Sequence, residues 1–480
     1  MERGQRRRAL LVAVAALALV AAVAGALLGA SGGGGSTDPF AYTPARAADY
    51  QQRATAGYAH VLYAKSPGGV IATAQRVAAL RPLVEAAARA SGSDPNRLEA
   101  IVFLESAGRP DALASSTPGA AAGLTQILGE TARDFLGLRV DQAASARLTA
   151  QIAQATARGQ SGRATQLAAK RRSVDQRFDP AAALAAAGRY LATARRTFAG
   201  REDLATESYH MGIGNLENVL RAYGSGAAVP YVQLFFDSSP LRHPASWRLL
   251  DALGDDSDTY LWRVLAAEGI MSLYRQQPAL LDQLAVLQGQ KGSAEEVLHP
   301  RGVTTVFADP AALSAAYASR ALVALPADPA RLGFAIDPAM GQLAPRIGSS
   351  PPLYRGLTPP ALALLEYLSN GVRALLPKAP AGATAPLLTI TSSVRDTSYQ
   401  QLLARSDPEA THAYSLHTTG YAFDVSRRYA SPAQARALQF WLDRLQALNL
   451  IAWVREPTVI HITAAADASR LQTPAHPSSG

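Results

Sequence analysis

The chain has 480 residues, 46 Lys and Arg against 37 Asp and Glu, a formal net charge of +9, and no cysteine. That length exceeds one ordinary domain and leaves room for two hydrophobic cores. Without cysteine there is no disulfide framework, cysteine metal ligand, thiol nucleophile or lipidated-cysteine anchor, so any metal has to be held by His and carboxylates.

In chain order, Met1 to Arg8 carries four Arg and one Glu, followed by 22 uncharged, almost wholly apolar residues from Ala9 to Ala30 and the glycine-rich run Ser31 to Ser36. A spanning helix needs about 20 apolar residues, more than the ~7–15 of a cleaved signal. Residues 1–8 are therefore expected as a cytoplasmic basic segment, 9–30 as a transmembrane anchor and 31–44 as a flexible tether, with the body outside the cytoplasm. Small-residue triplets such as Ala24-Gly25-Ala26 keep signal cleavage and secretion as the alternative. With export, the positive charge points to an anionic envelope polymer rather than nucleic acid, or to nothing beyond Arg-rich composition.

Residues 45–276 read as nearly continuous helix broken at Gly/Pro/Ser clusters, an all-α domain in which Val140 to Phe178 is polar and reads as a helical insertion. From 277 to 360 prolines become frequent, as in Leu325-Pro326, Asp328-Pro329 and Pro351-Pro352, and the segment is expected as a connector. Residues 361–466 read as a small α+β domain. It has helices near 361–376 and 432–448 and strands at 387–390, 421–425 and 459–463, with a disordered tail at 467–480. The fold class is thus multidomain, an all-α domain followed by a small α+β domain.

Ser93-Asp94-Pro95 carries a helix-start signal, and Gly108-Arg109-Pro110 ends the helix. Between them Leu98, Ile101, Val102 and Glu105 fall at i, i+3, i+4 and i+7, which puts Glu105 on the apolar stripe. A partly desolvated carboxyl holds its proton near neutrality, as a general acid needs; a Glu paired with Arg or turned to solvent at the helix end is the plainer alternative. Glu105-Ser106, Gly123-Leu124-Thr125-Gln126-Ile127, Arg189-Tyr190-Leu191 and Ser208-Tyr209-His210-Met211-Gly212 follow in order. Together, over roughly residues 75 to 275, they resemble the SLT-type lytic transglycosylases of the goose-lysozyme-like superfamily.

The resemblance implies a lysozyme-like fold and cofactor-free cleavage of peptidoglycan glycan strands. Glu105 would act as the single acid/base and leave 1,6-anhydro-muramyl ends. It further implies Gln126 and Tyr209 in the saccharide groove, Ser106 in support, His210 where the family commonly has Asn, and Tyr260 as a later groove tyrosine. Thr125 replaces the usual Met. A two-carboxylate hydrolase using Asp111, Glu130 or Asp134 is the competing chemistry.

In the last third, Ser415-Leu416-His417-Thr418-Thr419-Gly420-Tyr421-Ala422-Phe423-Asp424 has the form S-x-H-x-x-G-x-A-x-D, and His461 follows. Two His and one Asp suit a mononuclear site with a position left for water. With Ser393-Val394-Arg395-Asp396 upstream, the pattern resembles the zinc D-Ala-D-Ala carboxypeptidase and endopeptidase family acting on peptidoglycan stem peptides. The resemblance implies Zn2+ held by His417, Asp424 and His461, with Arg395 orienting substrate. The family's general-base Glu stands three residues before the last His; Thr458 occupies that position and Glu456 is the nearest carboxylate. His60, His243, His299, His412 and His476 fit neither pattern. A non-catalytic wall-binding scaffold and a transglycosylase with an inactive peptide-docking domain remain the rival readings.

Overall fold

The computed structural model describes residues 41–224, 229–289, 293–378, 385–408, 410–411 and 413–471. The expected basic segment and anchor, 1–30, lie outside them. Among the described residues no helix is long and apolar enough to cross a membrane. The chain divides into two compact units, Tyr58–Gly289 and Met1–Gly57 with Gln290–Gly480. Helix α1, Ala47–Lys65, has residues in both.

The helical unit continues with α2 Val70–Ala78, α3 Arg81–Ser91, α4 Pro95–Ser106, α5 Gln142–Ala157, α6 Ser161–Val174, α7 Pro180–Thr197 and α8 Glu202–Met211. It is completed by α9 Ile213–Tyr223, α10 Tyr231–Asp237, α11 Pro244–Asp251, α12 Tyr260–Gln276 and α13 Pro278–Gln288. Helix α4 starts as its sequence predicts, with the Asp94 carboxylate accepting from Asn96 N at 2.8 Å. It ends where Ala107 turns left-handed at φ 53°.

Helix α4 is buried on more than its apolar stripe, because Leu98, Glu99, Ala100, Ile101, Val102, Phe103 and Ser106 all lie inside. A helix enclosed in this way is a central helix rather than a surface one. Enclosure requires a partner for Glu99, whose Oε2 receives Arg81 at 3.2 Å and Arg275 at 2.8 Å. The expected insertion is the helical hairpin α5–α6.

The second unit holds α14 Ser293–Leu298, α15 Pro310–Ala318, α16 Pro359–Leu375, α17 Thr397–Leu403 and α18 Pro432–Ala447. Its strands are β1 Val323–Ala324, β2 Phe334–Ile336, β3 Gly356–Leu357, β4 Leu388–Ser392, β5 Ala422–Ser426, β6 Ile451–Arg455 and β7 Val459–Ala464. Five strands form one sheet in the order β2-β4-β5-β7-β6, parallel only between β2 and β4. Strands β1 and β3 pair separately.

The stretch expected as a connector differs from that expectation. Many of its prolines initiate structure rather than interrupt it. Pro278, Pro310, Pro329, Pro345, Pro351 and Pro359 each stand at the first or second position of a helix or 3₁₀ turn, where the missing N–H costs nothing. Phe307, Leu313, Leu322 and Tyr354 form a buried cluster with Val394 and Tyr399, which ties this stretch to the C-terminal unit. Of the stretch expected as a tail, residues up to 471 belong to the 3₁₀ turn Ala466–Leu471, where Asp467 receives Arg53 at 2.7 Å, and 472–480 lie outside the described residues.

Candidate functional site

The first constellation lies in the helical unit. Glu105, in the last turn of α4, accepts the Tyr260 hydroxyl at 2.6 Å. Its carboxyl is packed closely enough that burial pushes its pKa up to about 7, against the opposing pull of the Tyr260 hydrogen bond and the Arg263 charge. Surface area still leaves the residue partly open, so the group is desolvated yet reachable.

Tyr209 donates to Thr125 O at 2.8 Å, and its ring stacks on Tyr260 at 6.2 Å between centroids. Tyr190 and Phe135 extend this aromatic row at 5.2 and 6.2 Å. His210 is exposed, stacks on Tyr260 at 5.2 Å, and places Nδ1 2.7 Å from Ser257 Oγ.

Gly123 opens the Gln126 loop at φ 78°, and a Cβ there would sit 1.8 Å from Arg177 O, so glycine alone fits. Gln126, at φ 46°, donates its amide to Gly123 O at 2.8 Å and Ala112 O at 3.2 Å, and so staples the loop. Ser106 is 2% exposed and returns its hydroxyl to Val102 O. It therefore supports the helix end and offers no groove surface, contrary to a substrate-contacting role. Asp111, Glu130 and Asp134 are exposed, and Asp134 is paired with Arg133 at 2.7 Å. None shares the desolvation that suits Glu105 to hold a proton.

Sequence reasoning missed Glu207, which is fully buried in α8 and accepts from Leu261 N at 2.8 Å. It anchors the first turn of α12, the helix that carries Tyr260. Burial holds its pKa well above the usual carboxylate range. The available signal is a Glu within a run of residues that are otherwise small, two positions before Tyr209.

The second constellation is built on β5 and β7. These strands are antiparallel with Asp424 directly opposite His461, and opposed residues project to one face. His461 Nδ1 lies 2.9 Å and His417 Nε2 3.2 Å from Asp424 Oδ1. The ligand atoms of the three residues lie within 4.8 Å of one another, a set able to hold a metal ion.

His417 sits on the 3₁₀ turn Leu416–Thr419, closed by Gly420 at φ 76°, where a Cβ would meet Leu322 Cδ2 at 2.7 Å. Its Nδ1 faces Ser393 O at 2.7 Å. Arg395 reaches Asp424 Oδ2 at 3.4 Å, with Ser392 Oγ at 2.8 Å and Gln400 Oε1 at 2.9 Å holding it.

Burial beside Arg395 pushes the His417 imidazole down to about 4, which keeps it neutral as a ligand must be. Burial opposes a charge on His461 too, but the Glu295 and Asp424 carboxylates outweigh it and push that ring up to about 10. Asp424 is held well below its ordinary value because the two imidazoles outweigh its burial.

These groups line an open cleft of about 890 Å³ together with Glu295, Tyr414 and Glu456. Glu456 occupies the turn between β6 and β7, half-buried, while Thr458 is exposed. His299 proves structural, with Nε2 2.6 Å from Ala464 O and its ring stacked on Tyr421 at 3.8 Å.

Residues 146–231 match the family described as Transglycosylase SLT domain. The matched stretch contains Tyr190, Tyr209 and His210; Glu105, Gln126, Tyr260 and the second constellation lie outside it. No curated protein and no solved structure matches the chain. A stretch of the helical unit is therefore similar to the SLT transglycosylase domain family, a similarity that supports peptidoglycan lytic transglycosylation as that unit's general activity.

Proposed function

We propose that Glu105 cleaves the MurNAc-GlcNAc bond of peptidoglycan, first protonating the bridging oxygen and then taking the proton of the muramyl 6-hydroxyl to leave a 1,6-anhydro end. The observation that carries this is a desolvated carboxyl with a pKa near 7, held by Tyr260 and bordered by an aromatic row. A group with that pKa serves as acid and as base at one pH. Tyr209, His210 and the Gln126 loop border the glycan groove. The body lies outside the cytoplasm, tethered through Ala9 to Ala30.

The C-terminal unit is read as a zinc carboxypeptidase or endopeptidase acting on stem peptides. The donor set fits zinc: two imidazoles and one carboxylate converge, and the His417 ring has an outward acceptor in Ser393 O. Zinc bound there supplies a Lewis acid and a water acidified toward neutrality. Arg395 holds Asp424 and would offer its remaining charge to a peptide carboxylate, and Glu456, which lines the cleft, is the carboxylate that would serve as base. Thr458 in place of a glutamate favours a second reading, in which this unit docks stem peptides without cutting them.

Mass spectrometry of purified peptidoglycan treated with the full chain tests both halves. Anhydro-muramyl products and chelator-sensitive peptide trimming are expected. Reducing muramic ends would overturn the lyase chemistry, trimming untouched by Glu456→Ala would remove the base, and intact stems would favour docking.

Tyr260→Phe removes a donor that favours the charged form of Glu105, so the Glu105 pKa should rise. The alkaline limb of the glycan-cleavage pH profile is expected to move upward by as much as about one unit. A limb that stays in place or moves down would contradict the assignment of that limb to Glu105.

A further inference from the structure

We propose that Glu295 is a positioning residue of the His417–Asp424–His461 centre, its carboxylate holding the outward nitrogen of His461 so that Nδ1 is presented to a divalent metal ion. The inference rests on the zinc reading of that centre. It concerns a residue from outside the 361–466 segment in which the metal motif is legible.

The direction of each ring decides the role. His417 turns Nε2, and His461 turns Nδ1, toward the same oxygen, Asp424 Oδ1. The remaining nitrogen of each ring meets an acceptor, Ser393 O for His417 at 2.7 Å and Glu295 Oε1 for His461 at 3.1 Å. An acceptor behind a ligating imidazole fixes the tautomer, leaves the lone pair on the inward nitrogen and stops the ring from turning. Thr463 Oγ1, at 3.4 Å, is the other polar atom beside His461 Nε2.

Glu295 is built into this place. It is 8% exposed, and Oε1 is buried with no donor aligned well enough to make a hydrogen bond. A buried carboxylate oxygen left in that condition is costly, and the outward N–H of a metal-bound His461 is the donor that would satisfy it. Helix α14 is fixed by His299, which follows it and contacts Ala464 O at the end of β7. Tyr414 adds a hydrogen bond to His299 O at 2.9 Å. Because Oε1 approaches the nitrogen turned away from Asp424, Glu295 acts through His461.

The test measures zinc affinity of the full chain, stripped of metal, by competition with a chromophoric chelator at one pH and salt. Glu295→Ala is expected to weaken zinc by about 10–100-fold. Glu295→Gln, which keeps an amide oxygen as acceptor, should recover part of that loss, and metal-free melting temperatures near wild type would exclude a general loss of folding. Unchanged or tighter zinc binding in Glu295→Ala, while Asp424→Asn abolishes it, overturns the proposal. Absence of zinc binding by the wild type overturns the zinc reading instead.

Discussion

Glu105→Gln is expected to lose glycan cleavage by about 10³-fold or more, because one group supplies both proton transfers and Glu207, also desolvated, is fully buried and bonded to Leu261 N. The same substitution should stabilise the helical unit above neutral pH. Ordinary Glu titrates at 4.5 and Glu105 at about 7. Below 4.5 both folded and unfolded chains hold the proton and nothing is lost. As the pH rises to about 7 the unfolded chain releases it while the folded chain retains it, so stability falls. The loss is complete above the folded pKa and amounts to at most about 3 kcal/mol.

Glutamine carries no such penalty. The melting temperature of Glu105→Gln should therefore match wild type near pH 4.5 and exceed it at pH 8, as measured by differential scanning. A gap that does not widen with pH, or cleavage that survives the substitution, would remove Glu105 from the centre of the site.

Arg177→Ala is expected to cost about 3–5 kcal/mol, the range for breaking a buried ion pair from one side. Asp175 is fully buried and takes both arms of Arg177, at 3.0 and 2.8 Å, with Ser145 Oγ at 2.8 Å. The same guanidinium donates to Ala120 O at 2.7 Å and Ile127 O at 3.3 Å, so it joins the base of the α5–α6 hairpin to the Gln126 loop. Its removal leaves a buried carboxylate without its charged partner and takes the guanidinium hydrogen bond from two loop carbonyls.

The melting transition of the helical unit should fall by roughly 6–20 °C. Glycan cleavage should fall with it even at temperatures where the fold persists, since the loop beside Glu105 loses its tie. The double variant Asp175→Ala with Arg177→Met, which removes the charge along with its partner, should recover part of the stability. A fall of less than about 2 °C for Arg177→Ala would show that the pair does not hold the loop.

The sequence by itself determined the elements whose signals are local. The Asp94 cap and the start of α4, the helical character of the 140–178 insertion, and the strands bearing Asp424 and His461 follow from caps and from periodicity, which act over a few residues. The candidate residues of both constellations could also be named from sequence, Glu105 from its place on an apolar stripe and His417, Asp424 and His461 from their spacing.

What only the tertiary structure decided depends on residues far apart in the chain. The prolines of 277–360 read in sequence as a connector, and only the buried partners of Phe307 and Tyr354 reveal a stretch packed into the C-terminal unit with prolines at helix starts. Ser106 looked like a site residue by its neighbour, and enclosure of the helix end turned it into a structural one. The pairing of Glu105 with Tyr260, 155 positions away, gives the carboxyl its anchor. Glu295 stands 166 positions before His461, and no local pattern marks it, since desolvation and the direction of a ring nitrogen exist only once both strands and helix are packed.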